Sequence, residues 1–129
     1  MSAVSNLLDS KGRDVLTVSP DTSVREAVQK MEDISAGTAL VMEGDEVAGI
    51  ISERDVIRKV VLLNKDIDQV LVKEIMTTNL TSITQETSLD DCMQLITDKR
   101  IRHLPVICGG VLCGIVSIGD VVKYLIVEK

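Results

Sequence analysis

The sequence predicts an α/β (α+β) fold made of two β-α-β-β-α repeats related by pseudo-twofold symmetry. Shifting the 129-residue chain by 65 positions aligns residues 15–60 with residues 80–125 without a gap. Each copy carries a segment of helical periodicity and then two short apolar runs separated by turn residues. The chain is 45% hydrophobic and rich in Val and Ile, which favour strands and can fill a sizeable core.

The first helix of each copy is predicted by apolar residues at positions i, i+3, i+4 and i+7. This pattern starts at Val24 in the first copy and at Leu89 in the second, and it gives each helix one apolar face. Ser23 and Ser88 stand directly before these residues, and serine is a favoured N-cap. We therefore expect both helices to begin at these serines.

The remaining elements are predicted from short apolar runs and from the turn residues between them. The expected strands are 16–18, 39–42 and 47–51 in the first copy and 81–83, 104–107 and 111–116 in the second. A second helix is expected over about 53–63 and 119–126. One copy has too little sheet to be stable alone. We therefore treat residues 1–65 (the first repeat with the N-terminal segment) and 66–129 (the linker and the second repeat) as halves of one module.

The charge and the aromatic content argue against a nucleic-acid-binding protein. The formal net charge is −6 and the sequence pI is about 4.7, whereas phosphate backbones need clustered Lys and Arg. The single aromatic residue, Tyr124, cannot by itself form a platform on which bases stack. We therefore expect no nucleic-acid partner.

The three cysteines are predicted to be buried, reduced thiols of an intracellular protein. Cys92, Cys108 and Cys113 show no CxxC spacing, and with a single histidine they do not make a zinc site. A redox pair is the alternative that this pattern leaves open. The first residues lack the apolar core of a signal peptide, and no apolar run approaches the length of a membrane span. We expect a soluble, intracellular and cytoplasmic protein without a membrane partner.

One motif occurs once in each repeat at matching positions. Gly-Ile-Ile-Ser at 49–52 is followed by Asp55, and Gly-Ile-Val-Ser at 114–117 is followed by Asp120. These motifs resemble those of the cystathionine-β-synthase (CBS) domain family, of which a tandem pair is called a Bateman module. The segments that add to the resemblance are Val-Lys-Glu-Ile-Met-Thr at 72–77 and Ile-Arg-His-Leu-Pro-Val at 101–106. The resemblance covers nearly the whole chain, which is therefore similar to the stand-alone CBS-pair proteins.

The resemblance implies a regulatory module that binds an adenosine-containing ligand (AMP, ADP, ATP, NAD or S-adenosylmethionine) in the cleft between the repeats. It assigns ribose binding to Asp55 and Asp120, and it places Ser52 and Ser117 beside the ligand. Further candidate neighbours of the ligand are Thr17, Thr38, Ala39, Ser82, Pro105 and Val106. The residues alone leave another role open, because a Ser-x-x-Asp pattern at a helix start is also a capping box.

Basic residues near these motifs are candidate phosphate ligands. They are Arg54 and Arg58 in the first repeat and Arg102 and His103 in the second. Arg has the planar fork that suits phosphate oxygens. A run of charges is also typical of a solvated surface, and that alternative stays open. Because basic residues of one repeat are missing at the matching positions of the other, we expect the two halves to supply phosphate ligands jointly across the central cleft.

The sequence shows no enzyme signature. It has no phosphate loop of the G-x-x-x-x-G-K-[ST] type and no Gly-x-Ser-x-Gly motif. We expect no catalytic activity, no catalytic cofactor and no metal site. The resemblance implies energy sensing, a homodimer and a protein partner of unknown identity. The alternative functions are a ligand-independent interaction module and a redox-linked regulator of thioredoxin-like partners.

Overall fold

The computed structural model describes residues 3–127, which contain six α-helices, one π-helical turn and five strands. The first element is helix α1 (Val4–Lys11). The chain divides into two compact units: Val15–Leu80 forms the first-repeat unit, and the residues up to Asp14 join those from Thr81 onward in the second-repeat unit. Between residues 3 and 127, no helix is both long enough and apolar enough to cross a membrane. The predicted mixture of helices and strands is confirmed.

The first-repeat unit is built on a three-stranded sheet. Its elements are β1 (Thr17–Val18), α2 (Val24–Asp33), β2 (Thr38–Glu43), β3 (Glu46–Ser52), α3 (Glu53–Val56), a π-helical turn (Ile57–Val61) and α4 (Val72–Ile75). The central strand β2 pairs in parallel with β1 and antiparallel with β3. The apolar face predicted for α2 packs inward, since Val24, Ala27 and Met31 are buried.

The second-repeat unit contains a smaller sheet. Its elements are α1, α5 (Leu89–Lys99), β4 (His103–Cys108), β5 (Val111–Ser117) and α6 (Ile118–Val127). The strands β4 and β5 form an antiparallel hairpin. The strand predicted over 81–83 is reduced to a single parallel bridge between Ile83 and Val106. Within residues 3–127 this repeat therefore has two strands and a single bridge, where the sequence predicts three strands.

The segment that precedes each repeat packs in the unit of the other repeat. Helix α1, which is not among the predicted elements, buries Leu7 and Leu8 in the core of the second-repeat unit. The linker buries Val72 and Ile75 in the core of the first-repeat unit. The structure therefore differs from the predicted halves 1–65 and 66–129, which keep each segment with the repeat that follows it. Burial of apolar side chains, rather than closeness in sequence, decides where these segments pack.

The predicted N-caps of the two long helices are confirmed. The Oγ of Ser23 accepts a hydrogen bond from the backbone N of Glu26 at 3.1 Å, and the Oγ of Ser88 accepts one from the backbone N of Asp91 at 3.0 Å. Each serine thus satisfies one of the N–H groups that a helix start leaves without a partner. Helices α2 and α5 begin directly after these residues, as expected.

The second helix differs between the repeats. In the second repeat α6 matches the expected range closely. In the first repeat the single helix predicted over 53–63 is replaced by the short α3 and the π-helical turn that follows it. In that turn the backbone N of Leu62 donates to the carbonyl of Ile57 at 2.9 Å, which is the wider hydrogen-bond spacing of a π-helix.

Cys108 and Cys113 form a disulfide across the hairpin of β4 and β5, with their Cα atoms 5.8 Å apart. The register of the hairpin shifts between Val106 and Ile107, which leaves Cys113 as the extra residue of a β-bulge. The tight turn and the bulge bring the two cysteines to the Cα separation that a disulfide requires. The prediction of reduced thiols is therefore wrong for these two residues.

Thiol counting is expected to distinguish the three cysteines. Cys92 is a fully buried free thiol, and burial together with the charge of Asp91 raises its pKa to about 11, so it stays protonated at neutral pH. Without reductant, we expect no thiol of the native protein to react with Ellman's reagent and one to react after denaturation. Reduction before denaturation should raise the count to three. Three reactive thiols in the denatured, unreduced chain would contradict the disulfide.

Candidate functional site

Asp55 lies at the start of α3, directly after strand β3. The backbone N of Asp55 donates to Ser52 Oγ at 3.2 Å, and the backbone N of Ser52 donates to Asp55 Oδ2 at 3.0 Å. These reciprocal bonds form the capping box that the Ser-x-x-Asp pattern allows. The other carboxylate oxygen, Asp55 Oδ1, lies 3.2 Å from Lys59 Nζ. Lys59 also donates to the carbonyl of Ile75 at 2.8 Å, so its ammonium bridges two parts of the first-repeat unit.

Asp120 occupies the matching position at the start of α6. The backbone N of Asp120 donates to Ser117 Oγ at 3.0 Å, and the backbone N of Ser117 donates to Asp120 Oδ2 at 2.9 Å. Its ionic partner comes from α1, because Lys11 Nζ lies 2.7 Å from the same Oδ2 and also donates to the carbonyl of Ile115 at 2.9 Å. Among the residues that the structure describes, none donates a hydrogen bond to Asp120 Oδ1.

The charges around Asp120 favour its ionised form. Burial by itself raises the pKa of this carboxyl, but the hydrogen bonds from Lys11 and Ser117 outweigh burial and lower the pKa. His103, which faces Ser117 across the hairpin, is partly buried, and this burial is the main reason why its pKa is lowered. Asp120 opposes this shift, whereas Lys11 and Arg102 add to it. At neutral pH the site therefore combines one carboxylate, one neutral imidazole and two cations.

The matching part of the first-repeat unit carries a different charge. Gly37 and Thr38 stand where the second repeat has Arg102 and His103. A Cβ on Gly37 would lie 2.8 Å from Oε1 of Glu53, so a carboxylate covers the position that an arginine holds in the second repeat. The second-repeat unit therefore has a cation where the first-repeat unit has a carboxylate. The predicted difference in basic residues thus gives the two units different local charges.

The other predicted site residues differ in how exposed they are. In each unit the first residue of the hairpin faces the capping serine: Thr38 faces Ser52, and His103 faces Ser117. The buried members of the predicted set are Ala39, Pro105 and Val106, and the exposed members are Thr17, Arg54, Arg58, Ser82 and Arg102. Within residues 3–127 none of these three arginines forms an ion pair. The structure thus brings the serine–aspartate pairs together with Thr38 and His103, and leaves the arginines on the surface.

Two lysines beside the carboxylates are absent from the predicted site. Lys59 lies four residues after Asp55, so the i,i+4 spacing of an ion pair on one helix face is visible in the sequence. Lys11 contacts Asp120 from a helix more than 100 residues away in the chain, and no local sequence pattern predicts that contact.

The free energy of unfolding is expected to fall as the pH drops below about 6.5. The pKa of His103 is lowered from 6.5 in the folded chain, so the unfolded chain takes up this proton first and the stability present above pH 6.5 is lost below it. The pKa of Asp120 is lowered from 3.8, so its contribution is lost only at still lower pH. Urea unfolding across a pH series measures both steps. His103→Thr, which installs the residue of the first repeat, should remove the upper step alone; an unchanged upper step would contradict this assignment.

Comparison with known proteins finds one family along nearly the whole chain. The family model for the CBS domain matches residues 8–62 and 72–127. The CBS domain-containing protein CBSX3, mitochondrial, of Arabidopsis thaliana is 38% identical over 98% of this chain and 66% of its own length. This chain therefore spans just under two thirds of that relative.

Two solved structures share the fold. The crystal structure of the CBS domain of NE2398 has a TM-score of 0.92 and 44% identity, and the match covers 97% of this chain and 98% of that one. A "putative signal-transduction protein with CBS domains" from Burkholderia ambifaria MC40-6 has a TM-score of 0.94 and 41% identity, over 99% of this chain and 96% of that one. The likeness thus extends from the short motifs to the whole chain.

Proposed function

Because this chain belongs to the CBS-domain family, we propose that it is a non-catalytic regulatory module that binds an adenosine-containing ligand. The candidate ligands are AMP, ADP, ATP, NAD and S-adenosylmethionine. Binding changes the shape or the oligomeric state of the module and so its fit to a protein partner, because a ligand shifts an equilibrium by its different affinity for the two states. The similarity to a protein described as acting in signal transduction supports the regulatory role.

The observation that carries the proposal is the Ser–Asp pair at the start of a helix in each repeat. In the second repeat Asp120 is held by Ser117 and Lys11 through one oxygen, while its Oδ1 has no hydrogen-bond donor among residues 3–127. A carboxylate oxygen of this kind can accept hydrogen bonds from ribose hydroxyls. Lys11 and Arg102 both act electrostatically on the neighbouring His103, and their positive charge is what a phosphate group requires.

The other predicted neighbours of the ligand belong to the same proposal. They are Thr17, Thr38, Ala39, Ser82, Pro105 and Val106, which are small, hydroxylated or aliphatic. The chain has a single aromatic residue, so an adenine ring would pack against aliphatic side chains and backbone. The low aromatic content therefore opposes binding of a polynucleotide by base stacking, but it is compatible with recognition of a single nucleotide.

Stability in the presence of each candidate ligand tests the proposal. A ligand at about 100 times its dissociation constant is expected to raise the free energy of unfolding by about 2.7 kcal/mol, which circular dichroism can follow during thermal unfolding. Asp55→Ala and Asp120→Ala identify the site, because the variant that loses the shift has lost the ribose contact. Asp45→Ala, an exposed turn residue, is the matched control and should keep the full shift. The absence of a shift with every ligand would contradict the proposal.

A second candidate function, an interaction module that needs no ligand, is favoured by the apolar surface of α6. The exposed large hydrophobic residues of this helix are Ile118, Val122, Leu125, Ile126 and Val127, of which Ile126 is 74% exposed. Apolar surface of this extent is typical of a protein–protein contact. The homodimer implied by the family resemblance would cover such residues. Light scattering with and without nucleotide tests the second function, because an assembly that changes when nucleotide is added contradicts a module that needs no ligand.

A further inference from the structure

Helix α1 fixes the position of Lys11 beside strand β5. Leu7 and Leu8 are buried in the core of the second-repeat unit. The side chain of Leu8 lies directly over Gly114, where a Cβ would be 2.9 Å from Leu8 Cδ2. Lys11 is three residues after Leu8 and so lies on the same face of the helix, toward β5. The packing of α1 therefore delivers an ammonium group to the start of α6.

Lys11 makes two contacts in the second-repeat unit, and the matching contacts in the first-repeat unit are made by two separate groups. In the first repeat Asp55 is paired with Lys59 of the π-helical turn that follows α3, and the carbonyl of Ile50 accepts a hydrogen bond from the backbone N of Thr77 at 2.8 Å. In the second repeat Tyr124 stands at the position that matches Lys59. The single ammonium of Lys11 bonds both the matching carboxylate and the carbonyl of Ile115, which matches Ile50.

An ammonium has three N–H donors, and these two contacts use two of them. The third has no acceptor among residues 3–127. Arg102 and His103 lie at the start of the neighbouring strand, and the backbone N of Ile118 donates to the carbonyl of Arg102 at 3.0 Å, which holds this strand start beside α6. His103 is within electrostatic reach of Asp120, Lys11 and Arg102, so two cations and one carboxylate lie around this strand start.

We propose that Lys11 selects phosphorylated ligands at the site of Asp120, so that this repeat binds an adenosine phosphate in preference to adenosine or S-adenosylmethionine. This inference rests on the proposed function, because it takes the ribose to bind Asp120. The remaining N–H of Lys11 then donates to the phosphate, and Arg102 adds its positive charge. Adenosine offers no group to that donor. S-adenosylmethionine carries a sulfonium cation in place of phosphate, which the neighbouring cations repel.

Isothermal titration of the full chain with AMP, with adenosine and with S-adenosylmethionine tests the inference. We expect the wild-type protein to bind AMP about 10- to 100-fold more tightly than adenosine, the range of a hydrogen bond to a charged group. Lys11→Met, which keeps the length of the side chain, should lose that preference, so that AMP and adenosine bind with similar affinity. Lys11→Arg should keep most of the preference. Lys65→Met, at an exposed lysine that contacts neither serine–aspartate pair, should keep all of it.

The outcomes separate this inference from the proposed function. If the wild-type protein binds none of the three ligands, or if Asp120→Ala binds them as the wild type does, the ribose site is wrong and the role of Lys11 fails with it. If Asp120→Ala abolishes binding but Lys11→Met weakens AMP and adenosine equally, or weakens neither, the selection by Lys11 alone is overturned. Far-UV circular dichroism of each variant confirms that lost affinity does not come from lost folding.

Discussion

Replacing Leu8 with alanine is expected to lower the free energy of unfolding by about 2 to 5 kcal/mol, the range for a buried leucine. Leu8 is 0% exposed and belongs to the core of the second-repeat unit, although it precedes the first repeat in the sequence. Its side chain covers Gly114, which has no side chain of its own to fill the space left behind. The truncation therefore costs both the transfer of apolar surface and a cavity. Urea unfolding followed by circular dichroism measures the loss.

Leu63→Ala is the matched control for this prediction. Leu63 is 58% exposed, so the same change in side chain should alter the free energy of unfolding by no more than about 0.5 kcal/mol. If Leu8→Ala destabilises the protein no more than this control, α1 does not belong to the core of the second-repeat unit. The same result would remove the support that places Lys11 beside Asp120, so this stability measurement also bears on the site.

The parts of the fold that could be predicted from the sequence depend on local patterns. The apolar face of α2 and the caps at Ser23 and Ser88 follow from the spacing of residues within one helix turn. Helix α1 has only three buried residues among polar neighbours, so its pattern is too short to predict a helix. The disulfide between Cys108 and Cys113 depends on a one-residue bulge that shifts the register of the hairpin. The amino-acid composition of the hairpin does not predict that bulge.

The candidate site likewise combines contacts that local sequence patterns predict with one contact that they do not predict. Ser52 with Asp55 and Ser117 with Asp120 are each three residues apart, so the motif itself predicts that they meet. The contact of Lys11 with Asp120 arises only because α1 packs in the second-repeat unit. One signal does exist in the repeat alignment, since a tyrosine matches the lysine that pairs with Asp55. At Asp120 the cation that is missing from the matching position of α6 is replaced by Lys11 of α1.

Gly49→Ala is expected to lower the free energy of unfolding by about 3 kcal/mol, the upper part of the usual range for overpacking. A Cβ at this position would lie 2.8 Å from the carbonyl oxygen of Thr77 and 2.8 Å from the Sδ of Met76. The backbone of Thr77 is held against β3 by two hydrogen bonds with Ile50, of 2.9 and 2.8 Å. The chain therefore cannot make room for the methyl group without weakening both bonds.

Gly114→Ala is the matched variant in the second repeat, and it should cost only about 1 kcal/mol. Its Cβ would meet the end of the Leu8 side chain at 2.9 Å, and the three nearest atoms all belong to that side chain rather than to the backbone. In the Leu8→Ala background the added methyl group enters the space that the leucine leaves, so it should cost less than in the wild type. A double-mutant cycle measures this coupling. Equal losses for Gly49→Ala and Gly114→Ala would show that the backbone at Thr77 yields as easily as a leucine side chain, contrary to the hydrogen bonds that hold it.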